Sequence, residues 1–62
     1  MPLWRCKILN GSQWTEVEIV GDEFLKELKR RFGSGVKFKD VEQFCVIRNE
    51  FVPVYYYEEA DA

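Results

Sequence analysis

A chain of 62 residues that is 47% hydrophobic and 16% aromatic, with a formal net charge of −2 and no histidine, is too apolar for intrinsic disorder and long enough for one domain with a thin core. The absence of histidine removes the commonest general base near neutral pH and the commonest transition-metal ligand. No apolar run approaches the ~20 residues that span a bilayer, and MPLWRCKILNG lacks the long apolar stretch of a secretion signal, so a cytoplasmic protein with no membrane association is expected.

The first predicted element is a β-hairpin. Asn-Gly between apolar runs favours a two-residue type I′ turn, so ILNGSQW places Asn10 and Gly11 in the loop. That register sets Leu9 opposite Ser12, Cys6 opposite Thr15, Arg5 opposite Glu16 and Trp4 opposite Val17. With a side-chain period of two, Trp4, Cys6, Ile8, Thr15, Val17 and Ile19 share a core face, and Leu3, Arg5, Lys7, Trp14, Glu16 and Glu18 share the other. Trp14 is the one large ring on the charged side.

A helix follows over GDEFLKELKRRFGSG. Asp22 is the expected N-cap, acids lie in the first turn, bases in the last, and Gly33 supplies the C′ position. Phe24, Leu25, Leu28 and Phe32 form one apolar stripe, so one side of this helix is predicted to cover a sheet. Gly33-Ser34-Gly35 is no phosphate loop, because it follows a helix C-terminus, where the macrodipole repels anions.

The segment VKFKDVEQFCVIRNEFVPVYYYEE is predicted to form a second hairpin, entered through a short strand or bend at residues 36–40 and turning at Asn49 and Glu50. Ile47 then faces Val52 and Cys45 faces Val54, while Phe44, Phe51, Tyr55 and Tyr57 occupy the opposite face. Pro53 cannot donate to a ladder, which makes the last strand an edge or bulged strand. Residues 1–58 are thus read as a single small α+β domain, ββαββ, with one helix packed on one face of an antiparallel sheet. The acidic tail 59–62 is expected to fray.

One helix covers one face of a sheet. The aliphatic side, including Ile47, Cys45, Val52 and Val54, belongs beneath it, which leaves the aromatic side as a contact surface. The residues assigned to partner binding are accordingly Trp14, Phe44, Arg48, Phe51, Tyr55 and Tyr57, because large rings and arginine dominate interface energetics. Charge is also partitioned along the chain. Between residues 26 and 39, six bases stand against Glu27 alone, whereas from residue 40 onward Arg48 stands against six acids. Lys29, Arg30 and Arg31 form the corresponding electrostatic patch.

No catalytic or metal site is predicted. Cys6 and Cys45 match no C-x-x-C motif and read as reduced, buried thiols. Ser12, Ser34 and Thr15 have no base at a recognisable spacing, and Glu16 and Glu18 beside Arg5 read as solvated ion pairs. The expected function is therefore non-enzymatic and cofactor-free. The leading expectation is an interaction module that docks on a larger protein, or on a second copy as a homodimer, through its aromatic sheet face or edge strand. Inhibition or regulation by occlusion suits it, and compact one-helix sheets of this length occur among phage-encoded antagonists of host enzymes, an analogy of size and element order only. The second expectation is single-stranded nucleic-acid binding by sheet aromatics and the basic helix. It is weakened by the sequence pI of about 5.0 and by the placement of the bases on the helix side of the sheet. The third is a structural subunit of a larger assembly.

Overall fold

The computed structural model describes residues 1–55, which form four strands and one helix in the order β1 (Leu3–Asn10), β2 (Gln13–Val20), α1 (Phe24–Phe32), β3 (Phe38–Cys45) and β4 (Glu50–Pro53). The strands make one antiparallel sheet in the order β2-β1-β3-β4. The fold is thus the small α+β ββαββ domain expected from the element order. Tyr57, the domain limit at residue 58 and the tail 59–62 lie outside the described residues.

The first hairpin keeps its predicted faces but not its register. Asn10 pairs with Gln13, leaving Gly11 and Ser12 as the loop, so every pairing is displaced by two residues and Trp4 faces Ile19 instead of Val17. Gly11 has φ 67°, and Asn10 is not among the residues with positive φ. Glycine at the first central position is the type II′ pattern, which matches strand twist as well as I′ does. The observed register sets Arg5 opposite Glu18 and Lys7 opposite Glu16. It also sets Trp4 opposite Ile19, both buried in the core, which favours that choice.

Beneath the helix, Trp4, Cys6, Ile8, Ile19, Phe24, Leu28, Phe38 and Val41 form the buried core, with Val17, Leu25, Val36 and Val54 packed against it. An aromatic cluster lies at its centre. The Phe24 ring stands 5.4 Å from Trp4 and 5.7 Å, edge-on, from Phe38. Trp4 is anchored at its polar end, where Nε1 donates to the Gly21 carbonyl at 2.9 Å. That bond and the burial of Phe24 fix the entry into α1, and the N-cap falls on Glu23, with no side-chain cap bond, instead of on Asp22. A capping bond worth ~1 kcal/mol is outweighed by seating a large ring. At the other end Gly33 has φ 98° and its N–H donates to the Lys29 carbonyl at 2.8 Å, so the predicted glycine stop is present.

Gly21 is held more tightly than any other glycine. Its φ is 152°, and a Cβ there would lie 2.6 Å from Glu27 Cγ. Gly21→Ala is therefore expected to cost about 1–3 kcal/mol from backbone strain alone. Chemical denaturation should show this as a lower midpoint, whereas Gly11→Ala meets no neighbouring atom and tests the effect of positive φ by itself.

The second hairpin departs further from expectation. Cys45 pairs with Glu50 and Phe44 with Phe51, and the turn comprises residues 46–49 instead of Asn49 and Glu50. Asn49 still performs the reversal, with φ 55°, a value asparagine tolerates. This register joins Phe44 to Phe51 and lets the Val54 N–H reach the Val41 carbonyl at 2.8 Å. Its cost falls on Ile47, which was expected beneath the helix and is 92% exposed, and on Val46, which is 80% exposed. The displacement is again even, so the faces of β3 and β4 are as predicted. Pro53 lies in the edge strand, as its missing donor requires.

Candidate functional site

Strand alternation sends Arg5 and Lys7 to the side of the sheet opposite the helix, together with Trp14, Glu16 and Glu18 of β2, Lys39, Glu42 and Phe44 of β3, and Phe51 and Pro53 of β4. A register shift between Arg5 and Lys7 marks a bulge in β3. There Asp40, at φ 54°, turns to the open side while Val41 enters the core.

Arg5 organises the middle of this open face. Its Nε donates to Glu42 Oε1 at 2.9 Å and lies 3.9 Å from Glu16 Oε2, and its guanidinium carbon sits 3.9 Å above the centre of the Phe51 ring. Stacking and charge pairing thus act on one half-buried guanidinium, the arrangement for which arginine is better suited than lysine. Lys7 Nζ lies 3.5 Å from Asp40. The result is a strip of mutually compensated charges across the central strands. A groove of about 380 Å³ runs along it, lined by Arg5, Lys7, Glu16, Asp40, Glu42 and Tyr55 among others.

The aromatic residues flank that strip. Trp14, on the outer strand β2, is 41% exposed and has Lys39 Nζ 4.5 Å from its ring centre. On the other flank Phe44 and Phe51 are half-buried and meet edge-on at 5.3 Å, with Tyr55, 69% exposed, at the end of the described chain. Phe44 and Phe51 are therefore brought together, whereas Trp14 is separated from them by β1. Arg48 stands apart in the β3–β4 turn, where its Nε donates to Glu50 Oε2 at 3.0 Å.

Lys29, Arg30 and Arg31 lie on the helix, in the opposite layer from these rings. Arg30 is paired with Glu27 at 2.7 Å, and Arg31 donates to the backbone carbonyl of Glu18 at 3.2 Å. Two of the three bases in the patch are thus engaged with their own chain. Arg5, read as an ion-pair partner of Glu16, and Lys39, read as one of the bases of the nucleic-acid alternative, were not assigned to the aromatic contact surface, yet both hold rings on the open face. The available signal was alternation: Arg5, Lys7, Glu16, Glu18 and Glu42 all fall on the non-core parity of their strands.

Among the described residues no group of three or more His, Cys, Asp or Glu side chains is arranged to hold a metal ion. Cys6 is 1% exposed, and burial pushes its thiol up from 9.0 to about 11. Because the folded value lies above the unfolded one, the associated stability is fully present below pH 9 and is lost as the pH rises towards 11. Since only a thiolate reacts, a maleimide at neutral pH should label the half-buried Cys45 before Cys6, as read by peptide mass mapping. No helix among the described residues is long and apolar enough to cross a membrane.

Set against protein-family models, curated proteins and solved structures, the chain matches none.

Proposed function

We propose that the protein is a non-enzymatic docking module that binds a larger protein through the open face of its sheet and regulates it by occlusion. The observation that carries this reading is the pairing of exposed rings with compensated charges. Trp14 and Tyr55 stand exposed at the two flanks of a strip in which Arg5 and Lys7 are already matched by Glu42 and Asp40. Exposed rings supply apolar area at low entropic cost, and fixed charge pairs select a partner by complementarity while adding little attraction of their own. The turn carrying Val46 and Ile47, 80% and 92% exposed, extends the apolar area beyond the sheet.

Capture from the native lysate, followed by titration of the purified partner, tests this. Wild-type protein and a Lys29→Ala control should bind equally, and Trp14→Ala/Tyr55→Ala should not bind. Equal binding by all three would reject the open face as the docking surface.

Lys39 above Trp14 supports a second reading, in which a base stacks on the ring and the ammonium meets phosphate. Such binding must weaken steeply with salt. An oligonucleotide affinity that is absent at low salt, or indifferent to salt, rejects it.

A further inference from the structure

The two edges of the sheet differ in a way that selects a partner. The Gly21 N–H donates to the Pro2 carbonyl at 3.0 Å, one step beyond the pairing of Leu3 with Val20. In an antiparallel ladder, hydrogen-bonded and non-bonded pairs alternate. The pairs Trp4–Ile19, Cys6–Val17, Ile8–Thr15 and Asn10–Gln13 therefore exchange the β1–β2 bonds, and Trp14, Glu16, Glu18 and Val20 turn their N–H and C=O groups outward. Consistent with this, Leu9, opposite Trp14, sends its N–H to the Lys37 carbonyl on the far side. One hydrogen bond from a described side chain reaches the outer edge, and it comes from a base, Arg31 to the Glu18 carbonyl. At the other edge β4 is four residues long, and by the same alternation Pro53 occupies an outward position where no donor exists. That edge is blunted, whereas β2 offers eight residues without proline.

Charge then identifies the occupant. Glu16 and Glu18 project from β2 on the open face, opposite Lys7 and Arg5. Yet those two bases lean the other way, Lys7 to Asp40 at 3.5 Å and Arg5 to Glu42 at 2.9 Å, leaving Glu16 a contact of 3.9 Å and Glu18 with no ion pair among the described residues. A second copy pairing β2 against β2 would set these glutamates against each other, which is unfavourable. We propose that the outer edge of β2 accepts an extended segment of a partner protein that carries lysine or arginine at alternate positions, adding a fifth strand whose bases face Glu16 and Glu18. Main-chain bonds supply affinity and the alternate bases fix register and direction. The proposal rests on the docking-module reading, and it names the edge in addition to the face.

The test uses the full chain and a short synthetic peptide alternating arginine with valine, with a peptide of the same composition but contiguous arginines as control. Amide hydrogen exchange of Trp14, Glu16 and Glu18 should slow with the alternating peptide only. Glu16→Lys/Glu18→Lys should lower its affinity about tenfold, since four cross-strand charge effects of ~0.2–1 kcal/mol each are involved. Glu16→Pro removes an outward donor without touching the β1 ladder bonds and should abolish the peptide-induced protection of the Trp14 and Glu18 amides. Unchanged exchange at these amides, or equal protection by both peptides, would overturn the proposal. Dependence of natural-partner binding on Tyr55 is independent of the edge, so loss of one result leaves the other standing.

Discussion

Replacing Phe24 with alanine is expected to unfold the protein at room temperature. Phe24 is fully buried, and its ring is shared between Trp4 of β1 and Phe38 of β3, so it joins the helix to both central strands. Phe→Ala in a core costs about 3–5 kcal/mol, and a domain of this size has only about 3–5 kcal/mol to lose. The variant should show no cooperative thermal transition by circular dichroism. Phe24→Leu keeps most of the apolar area and should retain a transition at lower temperature. A folded, cooperative Phe24→Ala variant would mean that the helix is held by something other than this ring.

The second large effect is expected on binding and not on folding. Trp14 and Tyr55 are exposed on separate flanks of the open face, and neither belongs to the buried core. Truncating either ring should leave the thermal midpoint nearly unchanged, because surface substitutions usually fall within ~0.5 kcal/mol. On affinity for the captured partner each should cost ~2 kcal/mol or more, the range of interface anchors and roughly thirtyfold in Kd. Calorimetric titration with folded variants separates the two quantities. If affinity falls only in proportion to lost stability, these rings finish the fold and do not contact a partner.

Much of the architecture was legible because each level agreed with the next. Alternation in WRCKIL and TEVEIV, the stripe of Phe24, Leu25 and Leu28, and Gly33 after the bases define hairpin, helix and stop, although Phe32, the last member of the predicted stripe, is 38% exposed and outside the core; an even register slip leaves every strand face where it was predicted. The turns were less legible. Asn-Gly is a local preference, and it gave way to a ladder of eight pairs from Leu3–Val20 to Asn10–Gln13 that sets Trp4 opposite the buried Ile19. At the second hairpin the bulge at Asp40 and the union of Phe44 with Phe51 set the register, and no local pattern announces either. Ile47 consequently moved from an assigned core position to an exposed turn. In the candidate site, the ring-bearing side was identified by parity alone. The charged strip that divides it depends on contacts between β1 and β3, residues 37 apart in the case of Arg5 and Glu42.

The helix face and the open sheet face make opposite predictions for proximity to a partner, and one photocrosslinking comparison decides between them. A benzophenone side chain is placed at Tyr55 in one sample and at Lys29 in the other, and each is irradiated in native lysate. Docking through the sheet predicts a discrete crosslinked product from position 55 that disappears with Trp14→Ala, and none from position 29. A discrete product from position 29 with none from position 55 would contradict the open face as the binding surface.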